Sequence, residues 1–94
     1  MSSLKPDQVA LQLESLPAWQ LDGHSLVRTY EFADFASVVA FIVKVSFHAQ
    51  ELEHYPEWEN CYTTLRVRIG NIERGAVRNR DVQLAKRLEA SFHG

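Results

Sequence analysis

Hydrophobic side chains along the chain recur at helical spacing in three segments and alternate with polar ones in between. The longest helical segment runs from Phe35 to about Glu53, and Asp34 precedes it as a predicted N-cap. Its apolar stripe, with Phe41 and Phe47 outside it, consists of Val38, Ile42, Val45, Ala49 and Leu52. Because this helix is apolar nearly all round, we expect it to be buried on more than one side. The second side could be a subunit interface.

The residues before that helix predict a shorter helix and a hairpin. Pro6 to about Ser15 favours a helix, which ends at Leu16-Pro17 because a residue before proline avoids the α conformation. Ala18 to Leu21 is typical of a short strand, Asp22-Gly23 of a hairpin turn, and Ser25 to Phe32 of a second strand. One face of that second strand carries an arginine among apolar residues: Leu26, Arg28, Tyr30 and Phe32.

The C-terminal part predicts one long strand, a loop and a last helix. The strand covers Tyr62 to Ile69, and Glu57 to Cys61 could supply a short strand before it. After a loop from Gly70 to Arg78, Asn79 is the expected N-cap of a helix that ends near Phe92. In this helix we expect Lys86 and Glu89 in solvent, and a buried stripe of Val82, Ala85, Leu88 and Phe92. The order predicts an α+β domain with helices on one face of an antiparallel sheet.

Size, charge and cysteine content narrow the function. The chain has 94 residues, enough for a single domain covering residues 1–94. Ten basic against twelve acidic residues give a net charge of −2, so we expect no direct binding to nucleic acid. A lone cysteine, Cys61, excludes an internal disulfide and fits the reducing cytoplasm. The most apolar stretch, Phe35 to Phe47, is shorter than the about 20 residues of a membrane span, and we see no targeting segment, so we expect no membrane contact.

The densest polar and aromatic segment, residues 50–60, lies where a helix gives way to a strand. Loops held by rigid elements often carry sites. His54 is its candidate for acid–base chemistry, because imidazole exchanges protons near neutral pH. Tyr55, Glu57 and Trp58 could supply a donor, an acceptor and a flat stacking surface. The structural alternative is a histidine favoured by the helix dipole, with Trp58 in the core.

Two other kinds of site, a metal centre and a cysteine nucleophile, have weaker support in the sequence. His48, Glu51 and His54 are spaced three residues apart, but His54 has rotated past the helix face that the other two share, so we expect no metal site. Cys61 lies in or near a strand without a sequence sign of a base beside it, which disfavours a nucleophile.

Over about 80 residues the sequence resembles the pterin-4a-carbinolamine dehydratase family. The resemblance is sharpest in His54-Tyr-Pro-Glu-Trp58 and continues without a gap to Asp81-Val-Gln-Leu-Ala85. It also includes Leu16-Pro-Ala-Trp19, Phe32-Ala-Asp-Phe35, Asn60 and Tyr62. It implies a four-stranded antiparallel sheet with three helices, a homodimer or homotetramer, and a dehydratase of 4a-hydroxytetrahydropterin that uses no metal or organic cofactor. Family members also serve as protein partners, so a protein partner is a second expectation.

The resemblance places the site residues and shows where this chain departs from the family. His54 matches the first of three customary histidines, whereas Tyr55 and Ile72 stand at the other two positions and Gln50 replaces an acidic residue. The implied catalytic residues are His54, Tyr55 and Asp81, and the implied substrate-binding residues are Pro56, Glu57, Trp58, Asn71 and Ile72. Isoleucine cannot move a proton and a phenol is a poor base at neutral pH. We therefore expect either a divergent dehydratase or an impaired relative that binds pterin or protein as a dimer module.

Overall fold

Four antiparallel strands form one sheet, and three helices pack against it. The computed structural model describes residues 3–70 and 75–94. The elements in these residues are α1 (Pro6–Leu13), β1 (Gln20–Asp22), β2 (Ser25–Glu31), α2 (Phe35–Leu52), β3 (Glu57–Cys61), β4 (Thr64–Ile69) and α3 (Asn79–His93). The strand order is β1-β2-β4-β3. Each edge strand is therefore joined to its neighbour by a hairpin, and β2 pairs with β4 in the centre. The predicted α+β fold, with a four-stranded sheet and three helices, is confirmed.

Two tight turns set the sheet register. The β1–β2 hairpin closes on Asp22 and Ser25, and Gly23 has a φ of 62°, which glycine adopts without steric cost. The β3–β4 hairpin closes on Cys61 and Thr64. The alternation had predicted a last strand that begins at Tyr62, but Tyr62 lies in this turn. The short strand expected before β4 is confirmed as β3.

The core lies between the helix-facing side of the sheet and helices α2 and α3. Residues fully buried on the sheet side include Leu26, Tyr30, Leu65, Val67 and Ile69. From α2 the buried residues are Val38, Phe41, Val45 and Ala49. The prediction that Phe41 lies outside the stripe is wrong, because its ring packs 5.1 Å from the ring of Tyr30. The ring of Phe92 in α3 packs at a tilt against the same tyrosine, with ring centroids 4.7 Å apart, so aromatic contacts join both helices to the sheet.

A half-buried carboxylate, that of Glu89, joins α3 to the sheet. Glu89 Oε1 accepts hydrogen bonds from Trp19 Nε1 at 3.0 Å, Arg28 Nε at 2.6 Å and the Tyr30 hydroxyl at 3.0 Å. Its Oε2 lies 3.0 Å from His93 Nε2. We call these five residues the Glu89 cluster. The prediction that Glu89 faces solvent is wrong: its side chain is only 16% exposed, because Arg28 on the apolar face of β2 requires a counterion and Glu89 supplies it.

The helix ends follow local rules with one exception. Asp34 caps α2 as predicted, since its Oδ1 accepts the Ser37 N–H at 2.8 Å. This hydrogen bond also holds the pKa of Asp34 below its ordinary value. Asn79 is not the N-cap of α3, because Arg78 occupies that position. The Arg78 N–H is bound by Asp81 Oδ2 at 2.8 Å, so the carboxylate inside the first turn replaces an ordinary cap.

One face of α2 is apolar and unpartnered in the described residues. Phe35, Val39, Val43 and Phe47 recur every four residues and are 50%, 42%, 53% and 67% exposed. By length and composition α2 could cross a membrane, with a mean hydropathy of 1.3. Its opposite face, however, packs on the sheet and on α3, as in a core helix of a globular domain. An exposed apolar stripe of this kind marks an interaction surface.

Stability should depend on the ionisation of Glu89. Burial alone would raise its pKa, but hydrogen bonds from Arg28 and Tyr30 and the charge of Arg28 outweigh burial and lower that pKa. A lowered carboxylate pKa adds stability above the ordinary value of about 4.3, and that stability is lost as pH falls through the folded-state value. We expect Glu89→Gln to cost about 2–4 kcal/mol near neutral pH and to flatten the acid dependence, as measured by urea unfolding.

The exposed Glu59, which has no ion-pair partner in the described residues, provides the matched control. Glu59→Gln should leave both the free energy of unfolding and its pH dependence nearly unchanged. Equal acid dependence in wild type and Glu89→Gln would contradict the assignment.

Candidate active site

The candidate site forms where the end of α2 meets the start of α3. Helix α2 ends at Leu52, and its C-cap Glu53 has a left-handed φ of 51° that turns the chain sharply. The Glu53 N–H then reaches the Gln50 carbonyl at 3.1 Å and the His54 N–H reaches the Ala49 carbonyl at 3.0 Å. This fixed ending directs the His54 side chain toward α3.

His54 and Asp81 are brought together across 27 residues of sequence. The Nε2 of His54 is hydrogen-bonded to Oδ1 of Asp81, and the side chains are 18% and 3% exposed. Since a carboxylate only accepts, Nε2 carries the hydrogen of this bond and Nδ1 is left with its lone pair in the neutral ring. The second oxygen of Asp81 caps α3 through Arg78. A single carboxylate thus positions both a helix and an imidazole.

The residues after His54 lead into the edge strand. Tyr55 is 70% exposed, and its hydroxyl makes no hydrogen bond to the described residues. Pro56 and Trp58 are half-buried, and Trp58 packs on the edge of the core opposite Val67. Glu57 is exposed at the first position of β3. The segment after His54 therefore carries an exposed phenol, a half-buried indole and an exposed carboxylate.

A shallow depression lies beside this segment on the sheet. It has a volume of about 130 Å³ and is lined by Glu57, Trp58, Glu59, Arg66 and Arg68. Arg68 is held by Asp22 at 2.8 Å, whereas Arg66 is exposed and has no ion-pair partner in the described residues. Both arginines thus lie on the sheet face away from the helices, as the alternation of β4 predicts.

Other predicted residues are not gathered here. Asn71 and Ile72 lie outside the described residues. His48 contacts Ser91 and Glu51 pairs with Arg87, so the spaced metal candidates His48, Glu51 and His54 each bind a different partner. Within residues 3–70 and 75–94 no cluster of three metal-ligating side chains occurs. Cys61 is exposed at the end of β3.

The contribution of Arg78 to the site was not predicted from sequence. Its backbone N–H binds the oxygen of Asp81 that His54 leaves free. The Arg78-x-x-Asp81 spacing carries the signal, because a carboxylate three residues after an N-cap position commonly binds back to it.

Comparison with known proteins identifies the family to which the chain belongs. The family model described as pterin 4 alpha carbinolamine dehydratase matches residues 2–91. A candidate pterin-4-alpha-carbinolamine dehydratase from Mesorhizobium japonicum is 33% identical over 93 residues, covering 97% of this chain and 95% of the relative. One from Opitutus terrae is 37% identical over 78 residues, covering 82% and 80%.

Solved structures give the same result. A transcriptional coactivator/pterin dehydratase from Brucella melitensis superposes with a TM-score of 0.87 at 27% identity, covering 96% of this chain and 98% of that one. A pterin dehydratase-like RuBisCO assembly factor of the alpha-carboxysome superposes with a TM-score of 0.62 at 18% identity, covering 78% and 84%, and shows the shared fold. With the family model spanning nearly the whole chain, this protein belongs to the pterin 4 alpha carbinolamine dehydratase family.

Proposed function

We propose that this chain dehydrates a 4a-hydroxytetrahydropterin to a quinonoid dihydropterin, with His54 as its acid–base group. The observation that carries the proposal is the His54–Asp81 pair at the junction of α2 and α3. It fixes the imidazole ring and leaves Nδ1 available. A positioned general base or acid contributes about 10²–10⁴-fold to the rate. The proposed reaction takes place in the cytoplasm and needs no cofactor.

The reaction requires one proton to leave the substrate and one to reach the leaving group. His54 Nδ1 takes the proton from ring nitrogen N5, the N5 electron pair forms a double bond to carbon 4a, and the carbon–oxygen bond breaks. Tyr55 donates its proton to the departing hydroxide, which leaves as water. The His54 imidazolium then gives up the proton it took and the Tyr55 phenolate regains one through solvent, so both groups return to their starting state. Asp81 stabilises the imidazolium that forms, because its carboxylate faces Nε2.

Binding of the flat ring system falls to the neighbours of His54. Trp58 offers a half-buried aromatic face at the start of β3, and Pro56 fixes the backbone between it and His54. Glu57 is free to accept hydrogen bonds from ring N–H groups. The other two predicted substrate-binding residues, Asn71 and Ile72, lie outside the described residues.

A second candidate function is a protein-binding or pterin-binding dimer module without turnover. It is favoured by the apolar face of α2, which an active monomeric enzyme does not need. Tyr55 and Ile72 at two customary histidine positions favour it as well. The Brucella melitensis relative is described as a transcriptional coactivator/pterin dehydratase, which supports weighing a protein-binding function beside the dehydratase function for this chain. We propose that the α2 face joins two copies of this chain into a homodimer, the unit from which a homotetramer could also be built.

Removing the imidazole should abolish turnover. We expect His54→Ala to lower the rate above the uncatalysed background by at least about 10²-fold, because the general base is lost. The measurement is dehydration of chemically generated 4a-hydroxytetrahydropterin with the spontaneous rate subtracted. His24→Ala, at an exposed turn histidine, is the control and should retain full rate. If wild type does not exceed the background, the dehydratase proposal fails and the dimer module remains.

Changing Asp81 should affect both folding and the ring of His54. Asp81→Asn removes the charged acceptor of the Arg78 N–H, and we expect a loss of about 1–2 kcal/mol in the free energy of unfolding. It should also release the tautomer, so that ¹⁵N shifts of His54 move from the Nε2–H form toward a mixture. Unchanged His54 shifts in the variant would contradict the positioning role of Asp81.

A charge on the outer face of α2 should separate the copies. We expect Val43→Glu to convert a dimer to monomers in sedimentation experiments, because the carboxylate would be buried without a partner. Gln83→Glu, on an exposed position of α3, adds the same charge and should leave the dimer intact. A wild-type monomer at high micromolar concentration would refute self-association through this face.

A further inference from the structure

A cleft separates the segment between α1 and β1 from the last turns of α3. It has a volume of about 380 Å³, within the usual range of about 300–1,000 Å³ for small-molecule sites. Its lining consists of Ser15, Pro17, Ala18, Arg28, Glu89, Ala90 and His93. Glu89 follows Asp81 by eight residues on α3, which places it about 12 Å along the helix axis from the His54 site. The cleft is therefore separate from the candidate active site.

Arg28 brings unused hydrogen-bond donors to this cleft. Its Nε–H binds Glu89 at 2.6 Å and its Nη1 donates to the Thr29 carbonyl at 2.7 Å. A guanidinium has five N–H groups, and no further acceptor for Arg28 occurs among the described residues. Its carbon atom lies 4.1 Å from the Tyr30 ring centroid and 5.4 Å from that of Phe92. Stacking and ion pairing thus fix the guanidinium before any ligand arrives.

The groups that line the cleft favour a ligand that accepts hydrogen bonds. Glu89 already receives donors on both oxygens, so it has little capacity for a donor ligand. The Arg28–Glu89 pair is neutral as a whole, and binding therefore relies on directed N–H groups rather than on long-range attraction. Pro17, Ala18 and Ala90 add apolar surface. A planar carboxylate matches the fork of a guanidinium better than other small acceptors.

We propose that this cleft binds a small organic carboxylate, its carboxylate group on Arg28 and its apolar body against Pro17, Ala18 and Ala90. Such a site is additional to the dehydratase site, and it needs no residue of that site. Because Arg28 also holds Glu89, ligand binding should change the environment of the other residues of the Glu89 cluster.

The test uses the two tryptophans as reporter and reference. The Trp19 indole N–H is bound to Glu89, whereas Trp58 lies on β3 beside the other site. In ¹H–¹⁵N spectra we expect phenylacetate to shift the Trp19 indole resonance saturably and to leave that of Trp58 in place. Phenylacetamide, its neutral isostere, should bind at least about tenfold more weakly, since the charge-assisted bonds are lost.

Two variants localise the binding. Ala90→Leu fills the cleft without changing Arg28 or Glu89, and we expect it to weaken phenylacetate binding by about tenfold or more. Gln83→Leu introduces the same side chain at an exposed position of α3 outside the cleft, and this variant should bind phenylacetate as wild type does. The proposal is overturned if phenylacetate leaves Trp19 unshifted, if phenylacetamide binds equally well, or if Ala90→Leu binds normally. The comparison of the two ligands on wild type decides the matter even if a variant does not fold.

Discussion

The arrangement of this domain depends on one carboxylate that neutralises an arginine inside the sheet face. Arg28 points from β2 toward the helices, where an unpaired charge would be costly. Glu89 compensates it and also accepts from Trp19 and Tyr30, so one side chain links β2, the segment before β1 and α3. The same helix carries Asp81 at its start. The cluster at one end of α3 therefore helps to set the position of the candidate catalytic pair at the other end.

Local patterns were sufficient for most of the fold. Asp34 predicts the start of α2, the glycine after Asp22 predicts the first hairpin, and the alternation in β4 predicts its buried and exposed faces. These features depend on neighbours in sequence, so the chain can be interpreted a few residues at a time. The family resemblance then adds the number of strands.

Long-range pairing explains what the patterns missed. Glu89 occupies a polar position of α3, and its partners Trp19 and Arg28 lie 70 and 61 residues away in sequence. The arginine on the apolar face of β2 was the available clue, because such a charge requires a buried counterion. Similarly, His54 and Asp81 became site candidates through resemblance, since nothing local predicts contact between them. Phe41 was misplaced because the stripe of α2 was assigned against one layer, whereas α2 packs on the sheet and on α3 together.

The double attachment of Asp81 has a consequence for how this family diverges. One oxygen closes the first turn of α3 and the other holds His54, so the aspartate supports the fold whether or not the protein turns over a substrate. A relative that had lost the reaction would still need the aspartate for folding, and the aspartate would still hold the histidine in place. Substitutions that remove activity would be tolerated most easily at residues that the fold does not need, such as the exposed Tyr55. A change at Tyr55 would cost little folding stability, whereas a change at Asp81 would disturb both the helix end and the histidine.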